Sequence, residues 1–289
     1  MLKINVDIKR NDIPSKIIAF DMGQSLTKIA YADENRLNLV SLSTQSNVSK
    51  LKEIIENKKN KYPNFNFTGG RCFTLFRSFS EYLNTKILNE FEATVKGIDY
   101  LYSLEKSKNL LSSLVVTMGT GTSILLKNET YKHLGGTAMG GGFFMGLIKQ
   151  MFDLNDFQEA VNLAKNGDRY NVDLKVSDIY DSEDNRIDLV FREFTAASFG
   201  KINNNFDRNS LKKEDFINSL ICVIGENIGT IANLMAENNG ITDIIFSGGF
   251  LRENRPLRKI LSLICKVNKK KAIFLKNSEF SAAIGALLL

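Results

Sequence analysis

The chain has 289 residues, 43% of them hydrophobic and 24% charged, which is typical of a globular protein with a sizeable core. The net charge of +6 comes from short lysine clusters among asparagines, without a nucleic-acid-binding motif, so we expect a solvated basic surface and no nucleic-acid partner. Three widely spaced cysteines without CxxC spacing favour a reducing cytoplasm and exclude a disulfide framework or a zinc site. We find no signal peptide and no apolar run long enough for a bilayer, and therefore expect no membrane association.

The first strong pattern along the chain is a β-hairpin. Residues 16–23 predict a buried strand ending in Asp-x-Gly, residues 24–28 turn back, and a second strand starts at residues 29–31. The hairpin tip therefore carries the carboxylate of Asp21, a glycine, hydroxyls and a lysine. Such a tip can hold Mg²⁺ through the carboxylate and a phosphate through backbone N–H groups, hydroxyls and lysine. Turns favour aspartate and glycine in any case, so an ordinary turn is the alternative.

The elements after this hairpin indicate an α/β protein. Residues 37–42 predict a third strand, residues 49–60 an amphipathic helix, and residues 64–67 a short strand that ends at the glycine turn Thr68-Gly-Gly70. A long helical region is expected from about residue 80 to residue 104.

Two glutamates, Glu90 and Glu92, lie within that helical region. They point in different directions, because helix residues two apart do not share a face. One of them can therefore face a cleft while the other meets solvent, although two surface glutamates are the alternative.

A second hairpin repeats the plan of the first. Residues 113–126 predict strand, glycine turn and strand, and the tip Gly119-Thr-Gly-Thr-Ser123 parallels Gly23-Gln-Ser-Leu-Thr27. Next comes a glycine-dense stretch, with five glycines between Gly135 and Gly142, and a helix predicted from Phe143. A glycine loop before a helix N-terminus suits an anion, usually phosphate. A flexible linker or a buried turn is the alternative, because the stretch matches neither of the common nucleotide-binding glycine motifs.

The remaining elements are dominated by one buried helix, predicted at residues 213–238 from apolar residues at helical spacing. Before it we expect a helical region at 154–177 with a break at 167–169, an extended segment at 176–180, a loop at 181–187 and a turn at 195–201. After it we expect a strand from 241 into the glycine turn Ser247-Gly-Gly249, a helix at 255–264, a strand at 271–275 and a helix at 278–289.

Glycine turns thus follow several strands in order, and the two halves share a plan of hairpin, further elements and helix. This resembles the duplicated actin-like ATPase fold, a ribonuclease H-like α/β fold of two lobes around a nucleotide cleft. A Rossmann enzyme is the structural competitor, but its fingerprint is missing. We expect an N-terminal lobe at residues 1–110 and a C-terminal lobe at residues 111–289.

The chain also resembles a narrower family, the type II (eukaryotic-like) pantothenate kinases. The matching motifs run in family order and cover nearly the whole chain: Phe20-Asp-Met-Gly-Gln-Ser-Leu-Thr-Lys28, Phe67-Thr-Gly-Gly70, Asn89-Glu-Phe-Glu-Ala-Thr-Val-Lys-Gly97, Met118-Gly-Thr-Gly-Thr-Ser-Ile-Leu125, Gly136-Thr-Ala-Met-Gly-Gly-Gly142, Phe194-Thr-Ala-Ala-Ser-Phe-Gly200, Ser247-Gly-Gly-Phe-Leu-Arg252 and Ser281-Ala-Ala-Ile-Gly-Ala-Leu287. The resemblance implies transfer of the γ-phosphoryl group of ATP to the 4′-hydroxyl of pantothenate, the first step of coenzyme A synthesis. It also implies a cytoplasmic homodimer, with the long helix at 213–238 as interface and coenzyme A or its thioesters as feedback ligands. Burial of that helix inside the lobe is the alternative.

The resemblance assigns residue roles as well. Glu90 corresponds to the catalytic base, and Asp21 to a residue near Mg²⁺, directly or through water. Ser123, His133 and Thr195 are expected at the acceptor. The expected ATP-binding residues are Asp21, Met22, Gly23, Gln24, Ser25, Leu26, Thr27, Lys28, Thr120, Gly140, Gly141, Gly142, Phe143, Phe144, Phe157 and Gly249.

Two positions depart from the family pattern. Gln24-Ser25 stands where the family has Gly-Thr, so that the Gln24 side chain can crowd or hydrogen-bond the phosphates. His133, the only histidine, stands where the family has an arginine that grips pantothenate. Neutral histidine does not replace the two-pronged arginine fork on a carboxylate. A structural histidine, help from Lys132 and a different acceptor, such as pantetheine or an amino sugar, are the alternatives. A non-catalytic nucleotide-binding protein on the same scaffold is a further one.

Overall fold

The structure is a computed structural model that describes residues 2–8, 13–33, 35–44, 48–186, 188 and 192–289. Its first sheet has the order β1–β4–β3–β2–β5–β6, in which β2, β3, β4 and β1 are antiparallel neighbours and β5 and β6 run parallel to β2. The strands are β1 (Leu2–Asp7), β2 (Ile17–Met22), β3 (Leu26–Asp33), β4 (Arg36–Ser43), β5 (Asn64–Thr68) and β6 (Asn84–Ile87). Strands β1 and β6 lie at the two edges and were not predicted from the sequence.

The second sheet repeats this plan. Its order is β9–β8–β7–β12–β13, again a meander of antiparallel strands extended by two strands parallel to its first member. The strands are β7 (Ser113–Met118), β8 (Thr122–Lys127), β9 (Tyr131–Thr137), β12 (Asp243–Ser247) and β13 (Lys271–Phe274). The two predicted hairpins, β2–β3 and β7–β8, thus occupy equivalent places in two equivalent sheets.

The helices connect these strands and cover the sheets. They are α1 (Val48–Lys58), α2 (Cys72–Phe79), α3 (Glu90–Lys106), α4 (Gly141–Phe152), α5 (Phe157–Ala164), α6 (Lys213–Asn238), α7 (Arg255–Val267) and α8 (Ser281–Leu288).

The long helical region expected at 80–104 is wrong in its first half. Strand β6 occupies part of it, and α3 begins only at Glu90. Asn89 explains the start, because its side chain accepts hydrogen bonds from the N–H groups of Phe91 and Glu92, at 2.9 and 3.2 Å. An asparagine N-cap of this kind stabilises a helix end and sets the first helical residue.

The region between α5 and α6 also differs from the expectation. The predicted helix at 154–177 ends at Ala164, and the strands β10 (Leu174–Lys175) and β11 (Thr195–Ala197) form a small separate sheet. The expected extended segment starts with a 3₁₀ turn, Val176–Asp178, and the expected turn at 195–201 starts with β11. Residue 187 of the expected loop lies outside the described residues.

A buried ion pair explains why the helical pattern fails in this region. Arg169 donates to the carboxylate of Asp173 at 2.6 Å and to that of Glu226, on α6, at 2.6 and 3.2 Å. The contact to Glu226 joins segments 57 positions apart, and this long-range contact outweighs the local helical preference.

Helices α3 and α8 form a layer between the two sheets. Their residues share one core with side chains from both sheets, including Ala19 and Leu39 of the first and Val115 and Ile245 of the second. The remaining apolar faces of the sheets pack against their own helices in two separate cores. Helix α8 comes from the end of the chain but packs on the first sheet.

The predicted long helix α6 is present with the expected bounds. By length and composition it is apolar enough to cross a membrane, contrary to our expectation that no segment is. However, 61% of its most apolar window is buried against the rest of the protein, as in a core helix.

We predict that Gly285→Ala lowers the free energy of unfolding, because α3 and α8 cross in backbone contact. A Cβ atom at Gly285 would lie 1.7 Å from the carbonyl oxygen of Ala93. Overpacking of this kind costs about 1–3 kcal/mol in a folded core. Chemical denaturation measures it, with Gly146→Ala as the matched control. Gly146 also lies in a helix, but nothing lies within 4 Å of its Cβ position. Equal stability of both variants would contradict a tight crossing.

Candidate active site

The first hairpin carries an ion pair at its base. Asp21 at the end of β2 lies opposite Lys28 on β3, and the lysine Nζ donates to a carboxylate oxygen at 2.9 Å. Burial by itself lowers the pKa of Lys28, but the charge and hydrogen bond of Asp21 outweigh it and hold that pKa above its usual value. Lys28 is therefore a permanent cation at this end of the cleft, and its charge is shared with Asp21.

Glu90, the first residue of α3, faces the same charges. Loss of hydration and then the negative charge of Asp21 raise the pKa of Glu90, while Lys28 lowers it. Glu90 as a whole residue is nevertheless exposed, so the loss of hydration at its carboxylate is partial. The structure thus brings together Asp21, Lys28 and Glu90. A carboxylate with a raised pKa in a cleft is a candidate general base.

The tip of the first hairpin is held by Thr44, which the sequence analysis missed. The Thr44 hydroxyl donates to the carbonyl oxygen of Gly23 at 2.9 Å, and it lies 3.0 Å from the hydroxyl of Thr27. Thr27 is completely buried and the Met22 side chain lies in the core. Both were expected to bind the nucleotide, but Thr27 and Met22 can face the cleft only through their backbone atoms.

The two hairpin tips meet across the cleft. The hydroxyls of Ser25, from the first tip, and Thr120, from the second, lie 3.1 Å apart and form an exposed hydrogen bond. On the same side, the Leu26 side chain lies about 4 Å from the Cβ position of Gly249 in the third glycine turn. Three of the predicted glycine turns therefore converge on one place, although they come from distant parts of the chain.

The glycine run packs against the second hairpin. The N–H groups of Gly141 and Gly142 donate to the carbonyl oxygens of Gly119 and Thr120, at 2.8 and 2.9 Å. A Cβ at Gly140 would lie 2.8 Å from the Thr120 oxygen, and one at Gly142 would lie 2.6 Å from its methyl group. The run is thus neither a flexible linker nor an open ring of amide donors, because two of its amides bind the neighbouring backbone. Its glycines permit this close approach.

Three aromatic rings lie beneath the Gly248–Gly249 turn. Phe144 is fully buried and packs against Phe157 and Phe250, with ring centroids 6.2 and 5.4 Å away. The Phe144 side chain therefore belongs to the core, whereas Phe157 is half-buried and Phe143 is exposed. Gly248 has a φ of +102°, and a Cβ there would lie 2.3 Å from the Met118 carbonyl, so this turn requires glycine.

His133 lies beside the first turn of α3. Its ring stacks on that of Phe91, with centroids 4.4 Å apart and an angle of 10° between the planes. Phe91 follows Glu90 directly in the chain, so the stack brings the lone histidine close to the helix turn that carries the candidate base. Ser123, half-buried on β8, pairs with Gly136 on β9.

Thr195 is not joined to this group by any contact recorded for the described residues. It lies on β11, in the small sheet between α5 and α6. The role expected for Thr195 at the acceptor therefore stays a prediction.

Gln24 has a partner that sequence reasoning did not identify. The Nε of Arg71 donates to the Gln24 side-chain oxygen at 2.7 Å. Arg71 follows the Thr68-Gly-Gly70 turn directly, and an arginine after a glycine turn at a strand end was the available signal.

A magnesium ion fits this site only as a partner of bound phosphates. Within the described ranges, no group of three or more His, Cys, Asp or Glu side chains could hold a metal. Mg²⁺ usually binds proteins through one or two carboxylates and takes its other ligands from water and substrate phosphates. Asp21, which is buried and paired with Lys28, is the carboxylate available for that role.

Solved structures identify the class of fold. The chain superposes on a ROK family protein from Streptococcus pneumoniae, solved in complex with sucrose, with a TM-score of 0.57, 12% identity and coverage of 94% of this chain and 96% of that one. It also matches a ROK family glucokinase from Streptomyces griseus, solved with glucose and AMPPNP, with a TM-score of 0.54, 11% identity and coverage of 94% and 97%. The predicted two-lobed actin-like ATPase fold is confirmed.

Sequence comparison narrows this class to a family. The family model named Fumble matches residues 17–289. Type II pantothenate kinases from Bacillus cereus and Oceanobacillus iheyensis are each 34% identical, over 94% of this chain and 98% and 99% of their own lengths. The one from Bacillus anthracis is 35% identical over 94% of this chain and 96% of its own length. The chain therefore belongs to the Fumble family of type II pantothenate kinases, which confirms the resemblance seen in its motifs.

We predict that Lys28→Met raises the pKa of Glu90 further, because Lys28 is the nearby cation that lowers it. Carboxyl-detected NMR titration of the unliganded protein measures this change. Lys28→Arg keeps the positive charge and serves as the matched control, with a pKa close to that of the native protein. An unchanged Glu90 pKa in Lys28→Met would mean that the two groups do not interact.

Proposed function

We propose that the protein is an ATP-dependent kinase that phosphorylates the 4′-hydroxyl of pantothenate, the first step of coenzyme A synthesis. The observation that carries the proposal is the position of Glu90, whose raised pKa and neighbours Asp21 and Lys28 suit a general base in a kinase cleft. The family of the chain supplies the acceptor class, an alcohol, and the type of reaction, phosphotransfer.

The proposed reaction uses each of these groups for one task. Glu90 accepts the proton of the acceptor hydroxyl as its oxygen forms a bond to the γ-phosphorus, and the bond to the bridging oxygen breaks to release ADP. Lys28 and the first hairpin tip hold the phosphates and offset their charge. A magnesium ion held near Asp21 would supply further charge neutralisation on the phosphates.

The nucleotide is placed by the three converging turns. Ser25 and Thr120 flank the phosphates from the two lobes, and the Gly248–Gly249 turn, with Leu26 beside it, receives the adenosine. Phe143, exposed at the start of α4, and Phe157 complete the nucleotide side. Ser123, His133 and Thr195 are the proposed residues of the acceptor side.

Several further properties belong to the same proposal. The lobes comprise residues 1–110 and 111–289, with α8 returning to the first lobe. The protein acts in the cytoplasm as a homodimer through α6, where the Leu234 side chain is 62% exposed on an otherwise largely buried helix. Coenzyme A or its thioesters are the proposed feedback ligands.

A second candidate keeps the fold and ATP and changes the acceptor. The supporting observation is that the acceptor side presents an imidazole stacked on Phe91. An imidazole cannot form the two parallel hydrogen bonds by which arginine binds a carboxylate. Acceptors without a carboxylate, such as pantetheine or an amino sugar, fit this feature equally well.

We predict that Glu90→Gln lowers kcat for pantothenate-dependent ATP turnover by about 10²–10⁴-fold, since it removes the general base. In the native enzyme kcat/KM should rise with pH through the raised pKa of Glu90, because only the carboxylate form accepts a proton. This rise of kcat/KM with pH should be absent from Glu90→Gln. Glu92→Gln, exposed in the same helical turn, is the matched control. A native enzyme without pantothenate-dependent turnover would refute the proposal.

The acceptor is tested by His133→Arg. If pantothenate is the substrate, the new guanidinium should bind its carboxylate and lower KM by about tenfold, the effect of one charge-assisted contact. Pantetheine, which lacks the carboxylate, serves as the parallel acceptor and should gain nothing. Native turnover that is faster with pantetheine, together with no gain for pantothenate in the variant, would favour the second candidate.

A further inference from the structure

A cation that the proposed reaction has not used, Arg71, contacts the first hairpin tip. Arg71 and Gln24 lie 47 positions apart in the chain, yet the Arg71 Nε donates to the Gln24 side-chain oxygen at 2.7 Å. Both residues are exposed. Gln24 precedes Ser25, which makes the hydrogen bond to the tip of the second hairpin. The guanidinium therefore lies beside the point where the two lobes meet.

The backbone of Arg71 is fixed at this place. Its N–H donates to the carbonyl oxygen of Met22 at 2.9 Å, so the residue is tied to the end of β2. Gly69, two residues earlier, has a φ of +89°, and a Cβ there would lie 2.8 Å from a carboxylate oxygen of Asp21. The turn that carries Arg71 thus touches the Asp21 end of the hairpin, and its side chain starts from a defined position.

The charge of Arg71 is not used within the described part of the chain. No ion pair with a carboxylate is recorded for it there, whereas the nearby Lys28 is paired with Asp21 at 2.9 Å. Gln24 is neutral, so its hydrogen bond orients the guanidinium without cancelling the charge. A bond through Nε also leaves both terminal amino groups as donors, and these are the groups that form parallel hydrogen bonds to phosphate.

We propose that Arg71 binds the terminal phosphates of the nucleotide and that Gln24 is a positioning residue that aims its guanidinium at them. This inference rests on the proposed function in taking ATP as the phosphoryl donor. It gives a role to Gln24, one of the two positions that depart from the family pattern. The carboxylate of the acceptor is the competing anion, and the test separates it from the nucleotide.

A purely structural pair would behave differently when Gln24 becomes a carboxylate. In Gln24→Glu the contact to Arg71 turns into an ion pair, which ties the turn to the hairpin at least as firmly. The same change neutralises the guanidinium and adds a negative charge beside the phosphates. Weaker nucleotide binding by Gln24→Glu therefore indicates that Arg71 binds phosphate. Unchanged or tighter binding indicates that the contact between Arg71 and Gln24 only stabilises the structure.

The experiment is calorimetric titration of the full chain with a non-hydrolysable ATP analogue and with AMP. We expect Arg71→Met to weaken binding of the ATP analogue about ten- to a hundredfold, which is the range for charge-assisted hydrogen bonds. The affinity for AMP should be unchanged. Gln24→Glu should also weaken binding of the analogue. The affinity of Arg71→Lys should be intermediate, because lysine keeps the positive charge but lacks the paired donors of the guanidinium. Arg77→Met removes an equally exposed arginine from α2 and is the matched control, with native affinity.

Three results would overturn the proposal. They are native affinity of Arg71→Met for the ATP analogue, equal or tighter binding by Gln24→Glu, and an increase in KM for pantothenate alone. Pantothenate-dependent turnover by the native protein, measured in parallel, keeps the proposed function separate. If turnover is present and Arg71→Met binds ATP normally, only the role of Arg71 fails. A native protein that binds no nucleotide would refute both. Melting temperatures of all variants show whether each remains folded.

Discussion

The crossing of α3 and α8 is the constraint on which the site depends. Cβ atoms at Gly97 and Gly285 would lie within 1.8 Å of carbonyl oxygens on the opposite helix, so the two helices touch at the backbone. A buried hydrogen bond from the Asn66 side chain to the Ala286 carbonyl, at 2.6 Å, ties α8 to the first sheet as well. Because α3 begins at Glu90, the position of the candidate base follows from this contact. Helix α8 therefore helps to position a site whose residues come mostly from the first lobe.

The charges around Glu90 explain why the site needs partners. Asp21 and Glu90 are two carboxylates near one lysine, Lys28, which is already paired with Asp21. These three groups together therefore carry no surplus positive charge. A nucleoside triphosphate brings several negative charges into the same space. A magnesium ion and the Arg71 guanidinium would offset these charges beyond what Lys28 supplies.

The contact between the hairpin tips indicates how phosphates enter. The hydrogen bond between Ser25 and Thr120 joins two neutral hydroxyls in an exposed position, so it is weak. A phosphate oxygen is a stronger acceptor for either hydroxyl. Nucleotide binding can therefore replace this bond at little cost. The amides of Gly141 and Gly142, by contrast, are already bonded within the second lobe and hold its hairpin rigid behind the tip.

The sequence by itself determined the repeated plan of the fold, because hairpins, glycine turns and apolar spacing are local patterns that directly reflect backbone geometry. It located both hairpins and all residues of α6, and it placed Asp21 and Lys28 in one motif and Glu90 in another. It did not locate β1 and β6, since edge strands bury few side chains and leave only a weak pattern. It also failed around Arg169, where a buried ion pair to α6 overrides local helical preference.

Only the tertiary structure decided what these residues touch. It showed that Phe144 and Thr27 are buried, that the glycine run serves close packing, and that His133 stacks on Phe91. It also joined Gln24 to Arg71 across 47 positions of the chain. Such contacts form between segments that are far apart in sequence, and their partners are selected by the packing of two sheets and two crossing helices. No local pattern carries that information.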